Sequence, residues 1–428
     1  MIGIILGLVL LMILAYKGYS IIWIAPICAM VVALFGGLSL LSAYTETYMS
    51  GFTGFTRLWF PTFMLGAIFG KLMDMTGAAN SVAKMICSII GAKRAILAVV
   101  VGCIALTYGG ISLFVVAFAM YPFAVALYRE ANISLKLAPG AIALGAFGLT
   151  MTALPGSPQI QNLIPMQYFG TTPMAAPVLG IVAALIMGAG GYFYLLWRQK
   201  RLEKQGFFFQ EPSNITVSGA SEEKLPNAIL SILPLVAVVI TLNLFELDIV
   251  IALLCGIGLC MLLNYRYWKK FTETVSAGAN GSVMAIINTS AAVGFGAVVK
   301  AVPGFQTLTF MLLGIKGSPL ISEAIAVNIL AGATGSASGG MGIALEALGA
   351  KYMELSVTAG INPEVFHRVA SISSGGLDTL PHNGAVLTLL AICGLKHKDS
   401  YIDIFVTCCA LPMVAVIAVI ILASFGVV

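Results

Sequence analysis

Apolar runs of 15 to 25 residues alternate with short polar breaks from one end of the chain to the other. About 20 apolar residues cross a bilayer core as a helix, so the pattern predicts an all-α polytopic membrane protein. An outer-membrane barrel would show short alternating segments instead. Residues 2–16 and 20–41 read as a helical hairpin around Lys17-Gly18. Residues 42–55 carry Glu46 but no Lys or Arg and read as a connection outside the membrane. An apolar segment over 58–75 follows, then an amphipathic helix to about Ile90 and the basic turn Gly91-Ala92-Lys93-Arg94. Residues 95–106 re-enter and break at Thr107-Tyr108-Gly109-Gly110, and a helix runs from about Ser112 to Tyr128. Residues 138–151 break at TALPGSP (152–158), and 173–196 make a full span. The first helix begins at Met1 without a basic leader and reads as retained.

The longest polar stretch, residues 197–226, divides the chain. It opens with Arg198, Lys200, Arg201 and Lys204 and reads as a linker between two transmembrane repeats, 1–196 and 227–428. The second repeat opens with a hairpin over 227–246 and 248–264, closed by Arg266, Lys269 and Lys270. Basic loops stay cytoplasmic, which puts the linker and both flanking basic clusters inside and both termini outside. The two hairpins then enter from opposite faces. Matching landmarks support a duplication: Phe69-Gly70 with Phe295-Gly296, Gly91-x-Lys93 with Gly314-x-Lys316, Gly109-Gly110 with Gly339-Gly340, and Leu154-Pro155 with Leu380-Pro381. Four short matches in one order, at nearly one offset, predict two inverted repeats with paired broken helices, the arrangement in which secondary transporters hold substrate at mid-membrane.

The breaks hold the candidate chemistry. From the first copy come Thr107, Gly109, Gly110, Ser112, Thr152, Ser157, Gln159 and Asn162; from the second, Ser336, Ser338, Gly339, Gly340, Asp378, Thr379, His382 and Asn383. Broken backbone survives in a membrane where it is buried in protein or lines a wet cavity. The freed N–H groups of a restarting helix carry positive partial charge and bind carboxylates without a full cation. These breaks hold almost no Lys or Arg, so such a site suits a small, singly charged, hydroxylated acid. Asp378 and His382 lie four apart around Pro381. An imidazole titrates near neutral pH and a carboxyl away from water is costly to ionise, so either could take a coupling proton. The plain alternatives are a surface turn, small residues that let helices approach, and Asp378 as a helix cap. Glu323, Glu346 and Glu354 are secondary candidates; helix-end placement is expected for Glu323 and Glu354, and loop placement for His367 and His397.

Composition then narrows the classes. Charged residues make up 9% of the 428 positions and apolar ones 60%, against about a quarter charged in soluble domains. The net charge of +5 sits in loops and reports topology, not nucleic-acid binding. The eight cysteines form no CxxC and fit free thiols packed as small hydrophobes. With no GxxxxGK[ST], HExxH or GxSxG, the usual ATPase and hydrolase readings fall away, and no cofactor is implied.

The sequence resembles the gluconate permease (GntP) family over essentially its whole length. The resemblance rests on FGKLMDMTGAANSVAKMI followed by GAKRA, on the Gly-Gly break near Ser112, and on GLDTLPHNGAVLTLLAICGLKHKDSY. It is closest to the 3-hydroxybutyrate permease branch. Gluconate-type members carry PPHPGP where this chain has ALPGSP, which puts 3-hydroxybutyrate ahead of gluconate as expected substrate. The resemblance implies proton symport of a hydroxy-monocarboxylate across the bacterial inner membrane, a scaffold with a mobile transport domain, and a homodimer among membrane lipids. A sodium-coupled carboxylate carrier, for citrate or a dicarboxylate, is the alternative in the same class. A channel or a membrane-embedded enzyme is the alternative outside it.

Overall fold

The computed structural model describes residues 1–212, 225–307, 318–381 and 383–428, and among these every regular element is helical. Helices are what such apolar stretches must form, because lipid offers no partner to an unpaired backbone group. The first half runs α1 (Ile2–Tyr16), α2 (Ile21–Gly36), α3 (residues 40–75), α4 (Ala78–Ile90), α5 (Ala95–Tyr108), α6 (Leu113–Glu130), α7 (Leu135–Ala153) and α8 (Pro177–Lys204). The second runs α9 (Ala228–Asn243), α10 (Ile249–Leu263), α11 (Trp268–Ala301), α12 (Pro319–Thr334), α13 (Ala337–Ala359), α14 (Pro363–Ser374), α15 (Gly384–Ile392) and α16 (His397–Ser424). Among the described residues, five helices are long and apolar enough to cross a membrane. The α4–α5 pair, bent by 92°, makes a sixth candidate.

Two boundaries differ from the sequence reading. Residues 42–55 form the π turn and first helical turns of α3 rather than a connection. Their hydroxyls fold back onto their own helix: Thr45 donates to the Leu41 carbonyl at 2.8 Å, Thr53 to Met49 at 2.6 Å, and Ser42 to the Glu46 carboxylate at 2.8 Å. A polar stretch satisfied in this way continues a helix. The basic run at 198–204 likewise stays in α8, eight residues beyond the expected start of the linker. Arg198 Nε binds Asp403 of α16 at 3.1 Å, and cations suit the C-terminal end of a helix dipole.

At the centre, α3 and α11 pack side by side. Small residues permit the approach. A side chain at Gly278 would meet the Ile68 Cα at 2.6 Å, and one at Gly294 the Tyr48 carbonyl at 2.9 Å. Each hairpin leans on the long helix of the other half, α2 on α11 and α10 on α3. The remaining helices pack around the α5–α6 and α12–α13 hairpins, and α13 lies against α11 as well. Exposed Leu185, Phe193, Ile229, Leu262 and Ile417 give the outside the apolar surface a bilayer requires.

One end of the bundle gathers the basic turns. The Lys136 ammonium lies 3.7 Å from the centre of the Phe207 ring, Ser400 donates to the Lys136 carbonyl at 2.6 Å, and Arg129 pairs with Glu211 at 2.7 Å. At the other end Gly36 packs on Val302 and Gly304 on Met1.

Candidate functional site

Four interruptions in the helices meet in the interior. Two are hairpin tips: residues 109–112 between α5 and α6, and Gly335-Ser336 between α12 and α13. Gly110 (φ +95°) and Gly335 (φ +60°) take the left-handed conformation that lets the chain reverse there. The other two follow α7, over 154–159, and α14, over 375–383.

Side-chain amides tie each tip to the break of its own half. Gln159 Nε2 donates to the Thr107 carbonyl at 2.7 Å, and Asn383 Nδ2 donates to the Gly335 carbonyl at 2.9 Å. Each break is also closed on itself over the same span. Asn162 Nδ2 donates to the Ser157 carbonyl at 2.9 Å, and Asn383 Nδ2 to the Asp378 carbonyl at 2.9 Å. The two breaks then touch each other. Ser371 donates to the Thr152 carbonyl at 2.9 Å, and a Cβ on Gly375 would stand 2.8 Å from the Thr152 methyl. Residues from 107 to 383 thus form one polar assembly.

Within it many hydroxyl protons are already committed. Thr107 donates to the Cys103 carbonyl (2.8 Å), Thr152 to Gly148 (2.9 Å), Ser157 to Thr150 (2.6 Å) and Thr379 to Cys408 (3.3 Å). Such groups hold the breaks in shape; a bound carboxylate needs donors, and each hydroxyl has one. The Ser112 side chain makes no cap bond at the start of α6. Ser336 accepts from the Gly339 N–H at 3.1 Å and meets Ser338 at 3.5 Å, and Ser338 meets Thr289 of α11 at 3.4 Å. Gly109 packs under Leu235, and Gly339 and Gly340 form the first turn of α13 against α11 and α12. Asp378 is buried. The cap of α15 is Asn383, whose Oδ1 accepts from Ala385 (2.6 Å) and Val386 (3.0 Å). His382 lies outside the described residues.

His367 is fully buried, not on a loop, and so is Arg368. His367 meets Thr171 at 2.6 Å and Asn162 at 3.2 Å. Arg368 reaches Asn162 Oδ1 at 2.9 Å and the Ala175 carbonyl at 2.6 and 3.1 Å. Apolar Val365, Phe366, Val369 and Ala370 bury α14 around them, and carbonyls left unpaired by the broken stretch after α7 supply the acceptors. His397 bonds the Pro381 carbonyl at 2.9 Å. Glu354, a turn before the end of α13, pairs with Lys351 at 2.8 Å on the surface, and Glu323, a turn into α12, is fully buried.

Sequence reasoning missed the residues that α3 and α11 contribute. Thr56 and Ser290 share a 2.8 Å hydrogen bond between the two helices, next to the Thr289–Ser338 pair. A cleft of about 470 Å³ opens beside them, lined by Ser50, Phe55, Tyr168, Val293, Lys300 and Glu346 among others. Lys300 spans it, 3.7 Å from the Glu346 carboxylate, and Tyr168 donates to Glu346 at 3.3 Å. The signal available was the hydroxyls set among glycines and alanines in GFTGFT and NTSAAVGFG.

A family model described as GntP family permease matches residues 1–254. The chain is 43% identical, over 94% of each chain, to YxjC, an uncharacterized transporter of Bacillus subtilis. It is 24% identical to an uncharacterized transporter of Haemophilus influenzae, over 80% of this chain and 79% of that one.

Proposed function

The chain belongs to the GntP permease family and is a multi-pass membrane transporter, and from that premise we propose that it couples proton entry to uptake of a short hydroxy-monocarboxylate. 3-Hydroxybutyrate is the first candidate and gluconate the second. The observation that carries the reading is the junction where α7 and α14 break off, at which Ser371 bonds Thr152 and Gly375 lies against it. Broken helices paired in a protein interior are where secondary transporters hold an anion, on the N–H groups of the segments that restart beyond the breaks. The buried cation beside the breaks, Arg368, is held by Asn162 and the Pro173 and Ala175 carbonyls, which leaves the backbone N–H groups to receive a singly charged acid. Asp378, with His382 beside it in sequence, is the titratable group of the break.

The two halves share an order of elements: a hairpin, a long helix, a hairpin with a glycine tip, a broken helix and a closing helix. The matching five-residue spans Asn162–Ser157 and Asn383–Asp378 favour a duplication. Repeats over 1–196 and 227–428 with opposite orientation, the linker cytoplasmic and both termini outside, fit the basic turns gathered at one end. In this reading α3, α11 and the hairpins α1–α2 and α9–α10 are the scaffold, and the body carrying the breaks moves against it in an inner-membrane homodimer.

Uptake of labelled 3-hydroxybutyrate into proteoliposomes, in sodium-free and sodium-containing buffer, tests the reading. Uptake without sodium supports it. Uptake restored by sodium alone favours a sodium-coupled carboxylate carrier, with break carbonyls as the ion's ligands. Transport of citrate or a dicarboxylate in preference to hydroxy-monocarboxylates overturns the substrate class.

A further inference from the structure

We propose that Glu323, in α12, is the side chain that carries the coupled proton. The proposal rests on the proton-symport reading and assigns it a residue outside the breaks.

Glu323 is fully buried, and neither carboxyl oxygen has a hydrogen-bond partner. A capping role does not account for it, because Ser318 already caps α12 by accepting from the Leu320 N–H at 3.3 Å. Among the described residues, the neighbouring helices bring no counter-charge to it. On α13, Tyr352 pairs with Ser322 at 3.1 Å, Lys351 is taken by Glu354 at 2.8 Å, and Glu346 by Lys300 at 3.7 Å. On α14, Glu364 accepts from the Ala176 N–H, His367 bonds Thr171 and Asn162, and Arg368 bonds Asn162 and the Ala175 carbonyl. On α16, Asp403 is held by Tyr194 and Arg198. Helix α1 contains no acid, Lys, Arg or His.

An isolated carboxylate in such surroundings is far more expensive than a neutral acid. This conformation therefore suits Glu323 with its proton on. Release must await a conformation in which water reaches the residue. At that point the acid O–H bond breaks, the proton goes to water on the proton-poor face, and the carboxylate later takes a proton from water on the other face. With substrate bound the buried state is crossed only with the proton on, so each loaded crossing carries one proton, and the empty carrier returns as the carboxylate through a conformation that keeps it wetted. The position also connects to the substrate region. Along the same helix Asn328 has an unpartnered Oδ1 directed at Gly376, and Gly332 packs on Leu377, both in the break that holds Asp378.

The test uses the full-length protein with Glu323→Gln, a neutral isostere that leaves no unpaired charge in the core. Two transport assays in proteoliposomes use labelled 3-hydroxybutyrate: accumulation driven by an inward proton gradient, and exchange at equal pH. The expected result is loss of accumulation with exchange retained, since exchange needs no net proton movement. Wild-type accumulation in Glu323→Gln overturns the proposal, as does loss of exchange along with accumulation, which would mark a structural residue. A third arm needs no substrate. Infrared difference spectra of the purified protein between acid and alkaline buffer should show a protonated-carboxyl carbonyl band that Glu323→Gln removes. If wild-type protein neither accumulates nor exchanges 3-hydroxybutyrate, the substrate reading fails, and persistence of that band in Glu323→Gln overturns the proposal.

Discussion

Gly339 and Gly340 are adjacent, carry the same signal in the sequence, and should respond oppositely to alanine. At Gly340 a Cβ would overlap the backbone of Leu330 and Ala331 in α12. Non-bonded carbons need about 3.5–4.0 Å, so α12 and α13 would have to part by roughly an ångström or more at their tip. Overpacking costs about 1–3 kcal/mol, and a clash with backbone rather than a mobile side chain belongs at the top of that range. At Gly339 the neighbours are the Ser336 side chain, at 3.1 and 3.2 Å, and the Ala292 methyl, at 3.4 Å. A small rotation of Ser336 relieves that contact, and alanine gains up to about 1 kcal/mol of helix propensity over glycine. The two variants should thus differ by about 3 kcal/mol, which is about a hundredfold in the folding equilibrium. At about 1 °C per kcal/mol for a chain of this length, Gly340→Ala should melt a few degrees below Gly339→Ala in detergent and lose transport with it. Equal melting of the two variants, or a Gly340→Ala protein as stable and active as wild type, would refute the close approach of α12 to α13.

Asn383→Ala removes a helix cap and the donors to two carbonyls; with about 1 kcal/mol for the cap and about 1 kcal/mol for each bond, a loss near 3 kcal/mol should appear in thermal unfolding. Asn383→Ser should recover the cap alone. Arg368→Lys keeps the charge but loses the planar fork that grips Asn162 and Ala175, so it should destabilise by about 2 kcal/mol or more; wild-type stability would show that the fork is dispensable. Lys300→Ala breaks a half-exposed ion pair and should change stability by less than about 1 kcal/mol, a prediction that a large fall in melting temperature contradicts.

The positions of the breaks were legible because Gly, Pro and polar side chains cannot continue an apolar helix, and TALPGSP and GGLDTLPHN announce themselves. The hydroxyl pair Thr56–Ser290 was not, because a Ser or Thr inside an apolar helix carries no sign of what faces it. His367, beside Arg368, read as a loop residue because the partners of the two, Asn162 and the Ala175 carbonyl, lie about two hundred residues away in the chain. Glu323 was hidden for a related reason. Helix α12 is packed on several sides, so its sequence lacks the one-sided pattern that separates a buried position from an exposed helix end. Residues 42–55 misled in the other direction: a polar stretch whose hydroxyls bond backward looks, in one dimension, like a loop.

The most direct test of the account is accumulation of labelled 3-hydroxybutyrate in proteoliposomes under an inward proton gradient in sodium-free buffer. The account predicts uphill uptake that collapses when the gradient is discharged. Uptake that only equilibrates, or that persists after the gradient is discharged, would contradict it.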